Sequence, residues 1–315
     1  MLSVFYSDSV ELPLPEKHAF PRRKYRLLRQ RVERLADRLP ITLAPGRDAT
    51  RDELLRVHSA DYIERVFAGR LTDKEQRAIG FPWSAGMVGR SLRSVGSTLS
   101  ATEAAFAATT PRGGGWGAHL AGGTHHAFAD RGQGYCVFND VAVAIRAAQA
   151  DGRAGRCLIL DCDVHQGNGT AALFSGDASV FTLSVHGARN FPLQKEQGDL
   201  DVALPDGCTD DRYLTELTPA IDAAWAAGPF DAVFYISGAD PFEQDRYGRM
   251  KLTRDGLRER DRRVLTRCRE SRLPTVVVMG GGYTRDESVI ADIHAATIEE
   301  AATAAEAIAA EKVDQ

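Results

Sequence analysis

Four short apolar runs with strand propensity alternate with helical stretches in the second half of the chain, and this alternation constrains the fold most strongly. The runs cover residues 157–160 (CLIL), 180–185 (VFTLSV), 232–236 (AVFYI) and 275–279 (TVVVM). Helical patterns separate most of them, over residues 139–151, 211–227 and 253–272. Fully apolar strands that alternate with helices are typical of parallel sheets, because helices then cover both faces. We therefore predict an α/β fold with a central, mostly parallel sheet and helices on both faces.

The rest of the chain extends this pattern without an evident boundary. Further helices are predicted over residues 21–39, 50–69, 85–109 and 286–311. Residues 80–84 (GFPWS) are predicted to form a loop. A chain of 315 residues can form one large domain or two smaller ones. Because no linker or low-complexity segment divides it, we predict a single domain over residues 1–315.

Charge and cysteine content narrow the functional classes. The chain has 39 basic and 43 acidic side chains, a formal net charge of -4, so we expect no general attraction for nucleic acid or an anionic membrane. The basic run over residues 21–26 is interpreted as a solvated helix face. Five cysteines without a Cys-x-x-Cys pair, and no recognisable signal peptide, favour the cytoplasm. The oligomeric state is left open.

Each apolar run leads directly into polar or glycine-rich residues. The segments that follow the four runs are 161–165 (DCDVH), 186–187 (HG), 237–240 (SGAD) and 280–283 (GGGY). In open parallel sheets, ligands bind outside the carboxyl ends of the strands. The sequence therefore predicts a functional site at one edge of the sheet.

Two carboxylates and an imidazole in the first of these segments favour a metal site. Asp161, Asp163 and His165 alternate along the chain, so an extended backbone would direct them to one side. Asp240 adds a carboxylate from another strand end. Oxygen and nitrogen ligands suit a catalytic zinc, although the same set can hold Fe(II) or Mn(II). A lone Asp-x-Asp is more often a turn or a helix cap, but a buried carboxylate cluster without a cation is unfavourable.

Two further patterns supply candidate acid–base and oxyanion groups. His125 and His126 follow Gly-Gly-Thr, and one imidazole could accept a proton from a metal-activated water while the other assists electrostatically. Tyr283 follows three glycines, and its phenol could donate to a developing oxyanion. Either pattern alone is more often structural than catalytic.

Together these motifs resemble the histone deacetylase superfamily. The matching strings, in the order of that family, are 122–126 (GGTHH), 134–140 (GYCVFND), 161–169 (DCDVHQGNG), 238–240 (GAD) and 280–283 (GGGY). Residues 57–63 (VHSADYI) also match, so the resemblance spans nearly the whole chain. It implies an arginase/deacetylase-like fold and a zinc-dependent hydrolase that removes an acetyl or longer acyl group from lysine side chains.

The resemblance also assigns roles to individual residues. It implies Zn2+, with Fe2+ as an alternative, bound by Asp163, His165 and Asp240. It makes His126 the general base and acid, His125 its electrostatic neighbour and Tyr283 the oxyanion donor. Asp161 would orient His125, and Asn168 would be the partner of His126.

A structural cation and a substrate channel follow from the same resemblance. A structural K+ would be bound by the side chains of Asp161 and Ser184 and by backbone carbonyls of Asp163, His165 and Val185. The residues expected to line the substrate channel are Gly134, Tyr135 and Phe191.

Asn168 departs from the best-studied members, which carry Asp at the corresponding place. An amide accepts a hydrogen bond without a negative charge, so the pKa of His126 should be lower than in those members. With residues 80–84 and the short chain, this favours the class IV branch and its bacterial relatives, which include enzymes preferring long acyl chains. We do not assume acetyl specificity.

Three alternatives compete with an acyl-lysine hydrolase. A deacylase of small molecules such as acetylpolyamines or N-acyl metabolites would use the same chemistry. A binuclear manganese ureohydrolase would need a second Asp-x-Asp, which is absent because Ala239 precedes Asp240 and Phe242 follows it. A non-catalytic acyl-lysine binding protein is disfavoured by the presence of His126 and Tyr283.

Overall fold

A single parallel sheet forms the centre of the computed structural model, which describes residues 1–109 and 113–310. Its strands are β1 (Leu2–Tyr6), β2 (Ile41–Pro45), β3 (Trp116–His119), β4 (Cys157–Asp161), β5 (Val180–Gly187), β6 (Leu200–Leu204), β7 (Ala232–Ser237) and β8 (Thr275–Met279). They are ordered β2-β1-β3-β8-β7-β4-β5-β6, and every neighbouring pair is parallel. The predicted α/β fold with a parallel sheet is therefore confirmed.

Helices lie between most of the successive strands, as is usual for parallel pairs; β5 and β6 are joined by residues 188–199 without a helix. They are α1 (Lys24–Ala36), α2 (Arg51–Leu55), α3 (Ala60–Phe67), α4 (Asp73–Ile79), α5 (Ala85–Ala107), α6 (Asp140–Ala150), α7 (Asn168–Leu173), α8 (Asp210–Ala226), α9 (Arg254–Ser271) and α10 (Glu287–Ala310). Among the described residues, no helix is long and apolar enough to cross a membrane.

Both faces of the sheet are covered, because successive residues of a strand point to opposite sides. In β4, Leu158 and Leu160 join a hydrophobic cluster that includes residues of α1, α8, α9 and α10. Cys157 and Ile159 join a second cluster, formed with residues of α5 and α6. All five residues of β4 are buried, which explains why this strand is apolar along its whole length.

The helix predicted over residues 50–69 is in fact two helices, α2 and α3. Ser59 begins α3, because its side chain accepts a hydrogen bond from Tyr62 N at 3.3 Å. Just before it, His58 is buried and its Nδ1 bonds to Phe128 O at 2.9 Å. These tertiary contacts separate the two helices at residues 56–59, where the helical pattern alone predicts continuity.

The order of the strands positions the functional site. The central strands β3, β8, β7 and β4 are neighbours and all parallel, so the segments that follow them emerge at one edge of the sheet. These segments contain His125 and His126 after β3, Asp163 and His165 after β4, Asp240 after β7, and Tyr283 after β8. The assignment of residues 1–315 to a single domain stays a prediction.

Candidate metal and acid–base centre

Three ligand side chains converge at this edge. Asp163, His165 and Asp240 are buried, and one ligand atom from each lies within 4.8 Å of the others. His165 Nδ1 is 2.9 Å from Asp163 Oδ1 and 3.1 Å from Asp240 Oδ2. These are the residues for which the sequence predicts zinc binding.

The local backbone that presents them is a turn and not an extended strand, because β4 ends at Asp161. Asp161 Oδ1 accepts a hydrogen bond from Asp163 N at 3.0 Å, and Asp163 Oδ1 accepts one from His165 N at 2.9 Å. Aspartates commonly stabilise turns by binding the amide two residues further along. The alternation expected for Asp161, Asp163 and His165 is therefore replaced by two such successive contacts.

One carboxylate oxygen in the cluster lacks a hydrogen-bond donor. Asp240 Oδ1 accepts from Val164 N at 2.9 Å, but Asp240 Oδ2 is buried without a hydrogen-bond partner among the described residues. A buried unpaired carboxylate oxygen is costly. A cation bound beside His165 Nδ1 would satisfy this oxygen, so the residues fit a metal.

Glycines provide the space around the carboxylates. A Cβ at Gly281 would lie 1.8 Å from Asp240 Oδ2, and one at Gly280 would lie 2.7 Å from Asp163 Oδ2. Gly281 N also donates to Asp163 Oδ2 at 2.5 Å. The run of glycines after β8 therefore allows the backbone to approach the cluster closely, and a side chain at Gly281 would clash with a ligand oxygen.

The electrostatics of the cluster favour a cation. Burial alone would lower the pKa of His165, but the hydrogen bond with Asp163 and the nearby charges of Asp163 and Asp240 raise it to about 10. Burial and the charge of Asp163 raise the pKa of Asp240 to about 7. The contributions of the neighbouring carboxylates to these shifts reflect a negative potential that a divalent ion would neutralise, and a two-oxygen, one-nitrogen donor set suits zinc or Fe(II).

Beside this cluster, His125 and His126 each bond through Nδ1 to a different partner. His125 Nδ1 lies 2.6 Å from Asp161 Oδ2, and His126 Nδ1 lies 2.7 Å from Asn168 Oδ1. The two ring centroids are 4.1 Å apart. The structure thus brings together all four residues that the sequence assigns to proton transfer and its support.

The two imidazoles differ in charge. Burial opposes protonation of His125, but the charges of Asp161 and Asp163 raise its pKa to about 9. Burial and the charges of His125 and His165 hold the pKa of His126 well below its usual value. His126 is therefore neutral near pH 7 and able to accept a proton, whereas His125 carries a positive charge.

Tyr283 lies at the wall of the same centre. Its ring centroid is 6.4 Å from that of His165 and 5.9 Å from that of Tyr135. Burial and the charges of Asp163 and Asp240 raise the pKa of the phenol well above its usual value. The hydroxyl therefore keeps its proton and can act as a hydrogen-bond donor.

A cleft of about 640 Å³ leads to these groups from the surface. Its lining includes His126, His165, Tyr283 and the three predicted channel residues Gly134, Tyr135 and Phe191. The rings of Phe191 and His126 meet edge to face, with centroids 5.0 Å apart. Gly134 has φ of 57°, and a Cβ there would lie 2.6 Å from His126 Cδ2.

The residues predicted to bind a structural cation also lie together. The register of β4 and β5 pairs Asp161 with Ser184. Ser184 Oγ is 3.0 Å from His186 Nδ1, a contact that the sequence pattern did not indicate. Val185 is fully buried in β5.

Asp140 supports the histidine segment and was missed by the sequence interpretation. Its carboxylate accepts hydrogen bonds from Thr124 N at 2.8 Å, Thr124 Oγ1 at 2.6 Å and Gly123 N at 3.2 Å. Asp140 lies in the matching string 134–140, which was the available signal, but no role was assigned to it.

Asp245 and Arg246 hold the backbone of Tyr283 and were also missed. Asp245 Oδ2 accepts from Tyr283 N at 2.6 Å, and Arg246 Nε donates to Tyr283 O at 2.5 Å. The sequence carries no evident signal for either residue, because Asp245 and Arg246 lie 38 and 37 positions before Tyr283.

Comparison with known proteins identifies similar sequences. Residues 18–300 match the family described as "Histone deacetylase domain". An uncharacterized protein of Picosynechococcus sp. is 41% identical over 283 residues, covering 90% of this chain and 92% of that protein. Histone deacetylase 2 of Arabidopsis thaliana is 31% identical over 263 residues, covering 78% of this chain and 64% of that protein. Acetoin utilization protein AcuC of Bacillus subtilis is 31% identical over 256 residues, covering 75% of this chain and 65% of that protein.

Solved structures share the fold. A crystal structure of an HDAC homologue complexed with SAHA has a TM-score of 0.79 at 23% identity, covering 97% of this chain and 87% of that one. A crystal structure of an HDAC homologue from Aquifex aeolicus has a TM-score of 0.78 at 23% identity, covering 98% of this chain and 88% of that one.

Proposed function

This chain belongs to the histone deacetylase domain family, and on that premise we propose that it is a zinc-dependent amide hydrolase acting on acylated lysine side chains. The observation that carries the proposal is the unpaired, buried Asp240 Oδ2 beside His165 Nδ1, at the end of a cleft that His126 and Tyr283 also line. A metal ligand set, a neutral imidazole and a protonated phenol together can supply Lewis-acid, base and oxyanion-donor functions for amide hydrolysis.

Asp163, His165 and Asp240 would hold the metal. A bound zinc ion, or Fe2+, would supply a Lewis acid and lower the pKa of a water molecule. Because Gly280 and Gly281 pack against these carboxylates, their positions are restrained even before an ion binds.

His126 acts as the general base and then as the general acid. Its Nδ1 proton is donated to Asn168 Oδ1, which leaves the lone pair on Nε2 free to accept a proton from the attacking water. The same nitrogen then delivers that proton to the nitrogen of the leaving amine. The low pKa of His126 favours release of the proton in this second step.

Tyr283 and His125 act on the charges that develop around His126. The Tyr283 phenol donates a hydrogen bond to the oxygen of the acyl group as negative charge grows on it. His125, held by Asp161, keeps a positive charge that opposes protonation of His126 in the resting enzyme.

We also propose a structural K+ at Asp161, Asp163, His165, Ser184 and Val185. Its support is the side-by-side pairing of Asp161 and Ser184 across β4 and β5. Thermal unfolding in KCl against tetramethylammonium chloride at equal ionic strength tests this, because specific binding raises the Tm only in KCl.

Turnover of the zinc-loaded protein on one lysine peptide carrying acetyl, octanoyl or myristoyl groups tests the proposed function. We expect release of the acyl group, loss of activity with a chelator, and recovery with added zinc. The preferred chain length tests whether the chain shares the long-acyl preference found within the class IV branch. His126→Ala is the matched control, since it should bind zinc without turnover. Absence of release from every peptide, with zinc bound, would refute the proposal.

A further inference from the structure

The mouth of the cleft is unusually basic. Its lining contains four arginines and, among the described residues, neither aspartate nor glutamate. The four are Arg77, Arg189, Arg246 and Arg249. The chain as a whole has more acidic than basic side chains, 43 against 39, so this mouth departs from the average composition of the protein.

Only part of this positive charge is neutralised. Asp206 lies 3.3 Å from Arg249 and 3.7 Å from Arg189, so two guanidinium groups share one carboxylate. No carboxylate of a described residue forms an ion pair with Arg77 or Arg246. Ion pairing with Asp206 therefore offsets only one of the four guanidinium charges.

The remaining contacts of Arg246 do not reduce its charge. Its Nε and Nη2 donate to the backbone oxygens of Tyr283 and Ala19, at 2.5 and 2.6 Å. The neighbouring Asp245 carboxylate accepts backbone N–H groups of residues 247, 248 and 283. That carboxylate is therefore bound to the wall of the cleft rather than to a mouth arginine.

The position of these arginines distinguishes them from an ordinary solvated face. They surround the opening of a concave site, where low-dielectric walls focus the potential on an entering group. Arg77 and Arg189 are exposed, and the only ion pair of Arg189 within the described part of the chain is the shared contact of 3.7 Å with Asp206. A guanidinium presents a planar pair of donors that matches a carboxylate, so arginine is well suited to recognise this group.

We propose that the substrate of the amide hydrolysis proposed above carries carboxylates close to its acylated amine, and that it is an acidic peptide containing acyl-lysine. Such a peptide would place aspartate or glutamate side chains at the mouth while the acyl-lysine enters the cleft. A free Nε-acyl-lysine has the same chemistry through its own α-carboxylate. A cationic acetylpolyamine would meet the excess positive charge and be disfavoured.

Three peptides test the inference. They share one acetyl-lysine and differ only in the two residues on each side, which are aspartate, glutamine or lysine. With zinc-loaded enzyme, we expect kcat/KM to fall in that order, with about tenfold between the aspartate and lysine peptides. The difference should shrink as ionic strength rises, because salt screens exposed charges.

Variants locate the effect. The triple variant Arg77→Gln, Arg189→Gln and Arg249→Gln should reduce the aspartate-to-lysine ratio of kcat/KM to about one. A control with the same loss of charge away from the cleft, Arg56→Gln, Arg153→Gln and Arg262→Gln, should keep the full ratio. Equal ratios in both variants would overturn the role assigned to the mouth.

The outcomes separate this inference from the proposed function. Cleavage of all three peptides at equal rates would leave the hydrolase intact and overturn the acidic preference. If no peptide is cleaved, the proposed function fails, and binding of fluorescent versions to zinc-loaded His126→Ala still tests the charge preference. Faster cleavage of acetylputrescine than of the aspartate peptide would also overturn the preference for an acidic substrate. Nε-acetyl-lysine capped at its α-nitrogen, with a free α-carboxylate, is compared with the corresponding carboxamide. If the free carboxylate form is cleaved faster than both the carboxamide and the aspartate peptide, the carboxylate belongs to a small molecule, which overturns the peptide substrate.

Discussion

Two adjacent imidazoles of the candidate site have hydrogen-bonded partners at nearly the same distance, yet the two imidazoles differ in charge. His125 and His126 are both buried, with Nδ1 contacts of 2.6 Å to Asp161 and 2.7 Å to Asn168. The carboxylate helps raise the pKa of His125 to about 9, whereas burial and neighbouring charges hold the pKa of His126 well below normal. Burial and distance are alike, so the difference arises from the surrounding charges: Asp161 and Asp163 raise the pKa of His125, whereas His125 and His165 lower that of His126.

Under the proposed mechanism, this difference gives the two rings different roles. A protonated His125 cannot serve as a base, but its charge helps keep His126 neutral. A neutral His126 can accept a proton near pH 7. The comparison thus predicts unequal roles for two adjacent residues of the same type, and each of the following experiments tests one part of it.

The largest effect should come from removing each imidazole in turn. His126→Ala should lower kcat/KM by about two to four orders of magnitude, because it removes the base. His125→Ala should lower it by about ten- to a hundredfold, as for a supporting partner. Measured zinc content should be unchanged in both. Equal losses would contradict the division of roles, and loss of zinc from His126→Ala would make that residue a ligand.

Tyr283→Phe should lower turnover by roughly two to three orders of magnitude, because one oxyanion donor is lost. This change leaves the His125–Asp161 and His126–Asn168 hydrogen bonds intact. The pH at which activity falls on the acid side should therefore stay the same. Tyr247→Phe is the comparator, since its ring lies 5.0 Å from that of Tyr283 but is 40% exposed. An undiminished rate in Tyr283→Phe would remove the phenol from its role.

Asn168→Asp should make the two pairs alike. A carboxylate beside Nδ1 would raise the pKa of His126, by about one to three units. Because the neutral form of His126 is the proposed base, the acid limb of kcat/KM should move to higher pH, with a larger loss at pH 6 than at pH 8. A pH profile measures this, with Gln197→Glu as an exposed control of equal charge. An unmoved limb would show that the charge of the partner does not set the pKa.

Phe191→Ala should have the smallest effect. Phe191 is 42% exposed and its ring contacts that of His126. Its loss therefore removes an apolar contact for the substrate in the channel beside His126. We expect KM to rise about fivefold with little change in kcat, as for partial loss of apolar burial. Steady-state kinetics on the acyl-lysine peptide measure it, and Leu193→Ala, at a 92% exposed position, provides the control. A fall in kcat without a change in KM would indicate that Phe191 orients His126.

The strands that the sequence predicted and those it missed differ in where they lie. The four predicted runs became β4, β5, β7 and β8, whose residues are nearly all buried and therefore apolar. The sheet edges β2 and β6 were missed, since they are partly solvated and their composition is mixed. β1 and β3 were missed as well; β3 is only four residues long and includes a glycine and a histidine.

Several candidate site residues could be predicted because they lie close together in short sequence motifs. Asp163 and His165 stand two positions apart, and His125 and His126 are adjacent, so a pattern of residue types was sufficient to propose them. Asp140 lies in a matching string, but its role depends on contacts with residues 123 and 124 that the string does not reveal, and Arg246 acts through backbone 37 positions away. No spacing rule relates such positions.

The sequence alone determined which chemical groups this protein can bring to a reaction, and that they lie at one edge of a parallel sheet. Apolar strands followed by polar residues require that arrangement, because the carboxyl ends of parallel strands meet at the same edge. Only the tertiary structure decided the charge of each group, since burial and partners set a pKa. It also decided that Asp240 Oδ2 has no hydrogen-bond partner in the described part of the chain and that arginines from three separate segments line the cleft.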